Sequence, residues 1–288
     1  MSVDNFIPAI WSARVQVNLD NAHVYGQPGV INRNYEGEIS EAGDTVYLNS
    51  IGDPTIFTYT KNTDMPVPET LSDARETLLI DQAKGFNFQV DDVDRAQTRP
   101  DVMDPAMARA AYKLSDISDL YIGASMVAGA AAGNALGSNG SPIVPTIGAE
   151  WDDDLAIYNV LVDAGTKLNE ANVPRDSRFA IIPPWIEGLL LKDPRFTPSD
   201  SVRLNGAIGR AAGFDILVSN NTPTATGAST RYKIVFGHSM ATTFAEQINK
   251  TEAYRPERRF GDAVKGLQLY GAAVTEPDAL GVLTASMS

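Results

Sequence analysis

An α+β fold organised around one long helix is predicted by three features of this sequence. A stretch rich in β-branched and aromatic residues, "TVYLNSIGDPTIFTYT", leaves a base near residue 43, and the chain returns to that base through "FNFQV" at residues 86–90. Apolar residues at spacings of three and four then run from Met107 to Ala128. Beyond residue 150, strand-like and helical segments follow one another in short blocks. Strands and helices grouped this way form layers around buried apolar faces rather than an all-parallel sheet.

The composition narrows the function classes. With 43% hydrophobic and 20% charged residues the chain is that of a folded globular protein, long enough to bury a substantial core. A net charge of −13 disfavours sequence-independent binding to nucleic acid, which relies on clustered Lys and Arg releasing counterions. There is no cysteine, so disulfides, thiolate metal sites and cysteine nucleophiles are excluded. His23 and His238 are the only histidines, too few for most zinc sites. The first 30 residues lack the apolar run of a secretory signal, and Ile122 to Leu136, the longest weakly polar stretch, is too short to span a bilayer. The expectation is a soluble protein with no cofactor and no membrane contact.

Taken in order, residues 1–35 mix isolated aromatic and aliphatic side chains with Gly and Pro. They read as an extended arm with a short helix around Trp11 to Leu19. Such an arm cannot bury Phe6, Ile7, Ile10 and Trp11 by itself, so those residues need a partner surface in the same chain or another. From Gly43 to Val90, "TVYLNSI" and "TIFTYT" read as strands interrupted by the turn Gly52-Asp53-Pro54. Two prolines precede "ETLLID", and Gly85 precedes "FNFQV". The result is a long hairpin that exceeds what an isolated ribbon can stabilise in water.

Asp104 suits an N-cap and Pro105 the first helical position. Met107, Ala111, Leu114, Ile117, Tyr121, Ala124 and Ala128 then form one face, and a helix to about Gly133 would be about 40 Å long. A Gly-, Ser- and Pro-containing linker follows at 133–150. "WDDDLAIYNVLVDAGTKLNEANVP" reads as a second amphipathic helix with Trp151, Leu155, Tyr158, Val162 and Leu168 near one face. Asp152, Asp153 and Asp154 fall in its first turn, where they complement the helix dipole without any metal. Next come a strand "RFAII", a helix "PWIEGLLL", a helix "SDSVRLNGAIGRAAG" closed by Gly213, and strands "FDILVSN" and "RYKIVFG". The tail returns to strands through "KTEAYR" and "AVKGLQLYGAAVT", then turns at Glu276-Pro277-Asp278 into "ALGVLTA".

No convergent catalytic set emerges. "GAIGRAAG" lies inside a helical pattern ahead of a strand, the wrong order for a dinucleotide fingerprint, and helix packing with C-capping accounts for its glycines. "GHSMA" departs from a nucleophile elbow at Ala241. Ser239 fits better as the N-cap of a helix over "MATTFAEQI", and a triad would need a base brought in from elsewhere. Asp91, Asp92 and Asp94 lack the ligand series of a calcium loop.

The order of elements resembles the major capsid proteins of tailed bacteriophages with the Hong Kong 97-type fold, most nearly the coat-protein subgroup of Salmonella podoviruses. The residues that carry the resemblance are "IPAIWSARV", "GDTVYLNSIGDPTIFTYT", "LLIDQAKGFNFQVDDVDRAQ", "NEANVPRDSRFAIIPP", "GAIGRAAGFDILVSNN" and "VKGLQLYGAAVTEPDAL". It implies an N-terminal arm at 1–35, an extended β-hairpin loop with its base at 36–90, and a peripheral domain with the spine helix and linker at 91–149. An axial domain would follow at 150–240, with return strands of the peripheral domain at 241–288. The subgroup's additional inserted domain has no room here. The implied function is self-assembly into an icosahedral head shell, with no reaction catalysed. Implied partners are other copies of the chain in pentamers and hexamers, together with scaffolding, portal, and cementing or decoration proteins. The shell would enclose DNA without sequence-specific binding, and would be assembled in the host bacterial cytoplasm to become the virion capsid. A phage-derived nanocompartment shell around enzyme cargo is the near alternative, and a serine hydrolase using Ser239 the distant one.

Candidate contacts between copies are Phe6, Ile7 and Trp11 of the arm, Phe57, Tyr59, Met65 and Arg75 of the hairpin, and Arg255, Glu257, Arg258, Arg259 and Asp262 of "YRPERRFGD". In that last segment acids offset the three arginines, so it is no phosphate grip. It is either a solvated turn or a contact in which Arg's planar fork pairs with a neighbour's carboxylates.

Overall fold

One 27-residue helix and two sheets carry the fold in the computed structural model, which describes residues 24–34, 45–51, 55–62, 64–68, 73–91, 103–147, 155–193, 209–227, 229–257 and 261–287. The helix, α1, runs from Met103 to Gly129, about 40 Å at about 1.5 Å per residue. Its buried face begins as expected with Met107, Ala111 and Leu114, then continues through Ser115, Ser118, Asp119, Ile122 and Met126. Ile117 lies exposed instead, as do Ala124 and Ala128. The 3.6-residue period takes the inner face through three polar residues, which a count of apolar side chains passes over. α1 stops at Gly129 rather than Gly133. A Cβ on Gly129 would lie 2.4 Å from Val274, so only glycine lets the helix end approach that strand.

The hairpin has two strands, β1 (Thr45–Ile51) and β2 (Asp73–Leu79), joined by a seven-pair antiparallel ladder from Thr45↔Leu79 to Ile51↔Asp73. "TIFTYT", expected as a strand, has no regular structure over 55–60, because the ladder ends at Ile51. β3 (Gln82–Asp91) pairs with β10 (Gly261–Val274), which pairs with β9 (Thr242–Tyr254), giving a three-stranded antiparallel sheet. Met107, Ala111 and Leu114 of α1 pack against Val264, Phe86 and Phe88 on one face of it. Phe86 lies across Gly266, where a Cβ would come within 2.4 Å of the ring. On the other face the end of β2 crosses the sheet, burying Leu78 and Ile80 with Ala245 and Leu269.

The second sheet holds β4 (Arg178–Ile182), β5 (Arg210–Ala211), β6 (Phe214–Val218), β7 (Thr224–Ala225), β8 (Arg231–His238) and β11 (Leu280–Ser286). Its order is β11-β8-β4-β6-β5, with β7 on β8, and only β4 and β6 pair in parallel. Both faces are covered, so "RFAII" is buried throughout. Ala180 and Ile182 point to α2 (Ile157–Glu170) and α3 (Pro184–Lys192), joining Leu161, Leu168, Ile186, Phe214 and Phe236. Phe179 and Ile181 point the other way, joining Ile122 and Met126 of α1 with Tyr25, Ile31, Phe244 and Tyr270. The tail therefore divides: β9 and β10 complete the first sheet, and β11 lies beside β8 in the second.

Three expectations about the second half are corrected. α2 begins at Ile157, and no acidic residue stands in its first turn. Ala156 ahead of it is extended and bridges Thr146; Trp151 and Asp152–Asp154 lie outside the described residues. Its buried side is Ile157, Val160, Leu161, Ala164 and Leu168, whereas Leu155 and Val162 are exposed. Gly213 closes no helix, because residues 210–215 form a tight hairpin; residues 199–208 of the expected helix lie outside the described residues. Ala211 pairs with Phe214, and both turn residues, Ala212 (φ 50°) and Gly213 (φ 88°), are left-handed, as a two-residue turn between twisted strands requires. "MATTFAEQI" is strand from Thr242 onward, so Ser239 caps no helix. The alternation that puts Phe244 and Ala245 on opposite sides of β9 is satisfied only by its ladder with β10.

A Cβ at Gly271 would lie 2.3 Å from the Leu79 carbonyl oxygen, while Gly133 has open space. Gly271→Ala is expected to lower the unfolding free energy by about 1–3 kcal/mol and Gly133→Ala to change it by less than about 0.5 kcal/mol, as read from urea denaturation.

Candidate functional site

Among the described residues, a group of apolar side chains left in water sits beyond the β1–β2 ladder. Ile56, Phe57, Tyr59, Met65 and Val67 are 94%, 47%, 67%, 69% and 89% exposed. Pro66 and Pro68 have no backbone N–H to offer a ladder, which helps keep the segment out of sheet. Each large apolar side chain gains about 1.5–3 kcal/mol when fully buried. Five on one strap make a surface built to be covered. Phe57, Tyr59 and Met65 are the hairpin's apolar candidates from sequence and stand exposed, and Ile56 and Val67 are exposed beside them. Arg75 stands opposite Asn49 on β2, with its side chain outside the described residues.

The base of the arm has a different fate. Phe6, Ile7 and Trp11 lie outside the described residues, but residues 24–34 dock on their own chain, burying Tyr25, Val30 and Ile31. The Val24 amide donates to both carboxylate oxygens of Asp119 at 3.2 Å. Asn32 extends the edge of β9, donating to the Thr242 carbonyl at 2.9 Å and accepting from the Phe244 amide at 3.0 Å. The Arg33 guanidinium pairs with the Glu246 carboxylate and lies 5.8 Å from the Phe244 ring centroid. The other Glu246 oxygen accepts from Gln268 Nε2 at 3.0 Å. Burial raises the Tyr25 phenol well above its ordinary pKa, so the anchor stays neutral. Asp119, Arg33 and Glu246 carry no local sequence signal, since each finds its partner on a distant segment.

The third surface is the turn from β9 to β10. Arg255 Nε lies 3.2 Å from Asp262 Oδ1, with side chains 66% and 38% exposed. Glu257 is exposed, and Arg258 and Arg259 lie outside the described residues. Alongside, Lys265 Nζ lies 2.9 Å from Glu252 and 5.2 Å from the Tyr254 ring, and the Tyr254 hydroxyl hydrogen-bonds the Asn87 amide. The Glu252 carboxylate raises the Lys265 pKa, first by hydrogen bonding and then by charge. The expected pairing within "YRPERRFGD" is thus seen for Arg255 and Asp262.

Ser239 and His238 form no catalytic pair. The Ser239 amide donates to the Ser177 carbonyl at 3.2 Å, and His238 Nδ1 accepts from the Met240 amide at 3.2 Å. Burial, followed by the nearby Arg178 charge, lowers the His238 pKa and keeps the ring neutral. Both residues close the β8–β9 turn.

Residues 75–284 match the family model described as phage capsid protein. Among solved structures, a chain of Mycobacterium phage Che8 is 27% identical, with a TM-score of 0.70 and 90% of each chain covered. A chain from the capsid structure of cyanophage P-SCSP1u is 17% identical, with a TM-score of 0.71, covering 93% of this chain and 89% of that one. The virus-like particle from Pyrococcus furiosus is 14% identical, with a TM-score of 0.54 and coverage of 96% and 99%. Comparison with curated proteins gives no match at the same stringency.

Asp119→Ala removes the acceptor for the Val24 amide and is expected to cost about 1–3 kcal/mol in urea denaturation. It should also speed protease cleavage near residues 24–34. Arg255→Ala breaks a solvated pair and should cost no more than about 1 kcal/mol.

Proposed function

The chain belongs to the phage capsid protein family, and on that premise we propose that it is the major capsid protein of a tailed double-stranded DNA bacteriophage, assembling with copies of itself into the icosahedral shell around the genome. Its fold is the Hong Kong 97-type capsid fold. Its place is the virion capsid. The observation that carries the reading is the exposed apolar strap within 55–68, rooted on the β1–β2 ladder and uncovered among the described residues. One subunit gains nothing by holding such a strap in water. A shell in which each strap lies on the next copy buries it once per contact.

The finer assignments are ours. The likeness of individual segments favours the coat-protein subgroup of Salmonella podoviruses. Residues 1–35 act as arm and 36–90 as extended loop; α1 with the three-stranded sheet makes the peripheral domain, and the six-stranded sheet with α2 and α3 the axial domain. The pairing of β11 with β8 favours assigning Leu280–Ser286 to the axial unit. Contacts between copies involve Phe6, Ile7 and Trp11, the strap residues Phe57, Tyr59 and Met65 with Arg75, and Arg255, Glu257, Arg258, Arg259 and Asp262. Head-to-tail contacts that close at slightly different angles give both pentamers and hexamers. Scaffolding, portal and cementing proteins complete the head in the host cytoplasm. The subunit catalyses no reaction, and its acidic charge lets DNA pack without adhering.

Replacing residues 55–68 by a short Gly-Ser turn spares the ladder and the buried Leu78 and Ile80. The variant is expected to stay folded and soluble but to form no closed shells by negative-stain electron microscopy; normal shells would remove the strap from the interface. Particles holding protein cargo and no DNA would favour the nanocompartment reading. Charge reversal of Arg258 and Arg259 should block assembly, with rescue by a reversed acidic residue on the neighbour. Unchanged shells would make that segment a solvated turn.

A further inference from the structure

Three arginines from two segments converge on one cleft of about 410 Å³ at the far end of α2. Arg175 comes from the loop before β4, Arg178 from the first position of β4, and Arg210 from the β5–β6 hairpin. Thr166 and Asn169 of α2 line the same cleft. Its walls rest on unusual backbone: Asn172 (φ 58°) and Ser177 (φ 54°) bend the loop, and Ala212 and Gly213 turn the hairpin. Non-glycine residues held left-handed are uncommon, and here they bring two cationic segments side by side.

Arg178 is fixed. Its Nε donates to the Pro174 carbonyl at 2.8 Å, and its terminal nitrogens donate to the carbonyls of Gly165 and Val173 at 3.3 and 2.6 Å and to Asn169 Oδ1 at 3.0 Å. Those four acceptors are uncharged, so its charge is held but not neutralised. Burial first, and then repulsion from Arg175, lowers its pKa. Arg175 is exposed and has no ion-pair partner among the described residues. Arg210 lies 3.5 Å from Asp215, with both side chains more than half exposed, and Asp176 also lines the cleft. Among the described residues, three guanidinium groups thus meet one carboxylate lining the cleft, Asp176, and one beside it, Asp215, in a chain whose overall charge is −13. An incoming anion relieves the repulsion and meets Arg forks suited to carboxylate.

We propose that this cleft receives a carboxylate side chain of a second copy of the chain, gripped mainly by Arg175 and Arg210 over the fixed Arg178. The proposal rests on the shell reading above. A second copy is the favoured occupant because 36 Asp and Glu against 23 Lys and Arg make carboxylates a common charged feature of its surface. The contact adds orientation to the apolar strap, since charge pairs set register more than they add affinity.

The test uses the full chain with Arg178 untouched. Arg175→Glu should leave the urea midpoint unchanged, because its side chain is exposed, and adding Arg210→Glu, which sets a second acid opposite Asp215, should lower it slightly; both should cut shell yield at least about tenfold at fixed salt. The chain has no cysteine, so Thr166→Cys, exposed on the cleft wall with all three arginines in place, carries one photo-crosslinker in the assembled shell. It should attach to an Asp- or Glu-bearing peptide of another copy. Undiminished shells from the charge-reversal variants, or crosslinks confined to one copy, would overturn the proposal. So would Arg175-dependent binding of a short DNA duplex by the unassembled subunit, which would make the cleft a phosphate site. If wild type forms no shells, the capsid reading itself fails; if wild type and variants assemble alike, only this inference does.

Discussion

The inner face of α1 does different work at its two ends. Near its start Met107, Ala111 and Leu114 bury against Val264 and the Phe86–Phe88 pair of the three-stranded sheet. Near its end Ile122 and Met126 bury against Phe179, Ile181 and Val235 of the six-stranded sheet. A helix is stiff over this length, so burying both ends at once fixes the spacing of the two sheets. Between the apolar ends, the polar middle of the stripe is used as an anchor. Ser118 hydrogen-bonds its own helix at Leu114, and Asp119 holds the amide at the arm's base. Gly129 lets the helix end approach Val274 more closely than a side chain would permit, and Gly123 sits tightly against Pro223 and Tyr25, 3.1 and 3.3 Å from where a Cβ would lie.

With the two sheets fixed, the remaining chain divides into parts that are satisfied within one copy and parts that are not. The arm's base is satisfied: Tyr25, Val30 and Ile31 are buried, Asn32 extends β9, and Arg33 meets Glu246. The 55–68 strap is not, and its apolar side chains stand in water at the end of a rigid ladder. In a capsid protein this division has a plain energetic sense. Burial inside the subunit stabilises the fold before assembly, and under the proposed assembly the exposed apolar area on the strap would release free energy on contact with a neighbour. The arginine cleft fits the same division, with Arg178 satisfied by its own chain and Arg175 left for another.

Elements whose pattern is local were legible in the sequence. "RFAII" with a following Pro-led helix, the hairpin strand "TVYLNSI" and the long helix follow from β-branched runs, proline positions and three-four spacing. Misreadings fell where one local pattern fits two structures. "MATTFAEQI" has residues compatible with helix or strand, and the ladder with β10 selects strand. "GRAAG" carries good helix formers, but pairing of Ala211 with Phe214 makes it a hairpin. The inner face of α1 was lost where it passes through Ser115, Ser118 and Asp119, because polar residues give no hydrophobic signal even when fully buried.

The sequence by itself determined the long helix, the strand "RFAII" with its Pro-led helix, the lack of thiol chemistry and the acidic charge, since these depend on residue type and short-range spacing. Tertiary structure alone decided which residues stay exposed. Asp119 meets Val24 and Glu246 meets Arg33 across 95 and 213 residues, and the strap stays bare because no other described segment of the chain reaches it. Burial is a long-range property: a side chain's neighbours in space, rather than its neighbours in sequence, fix whether it belongs to the core of one copy or to the contact between two.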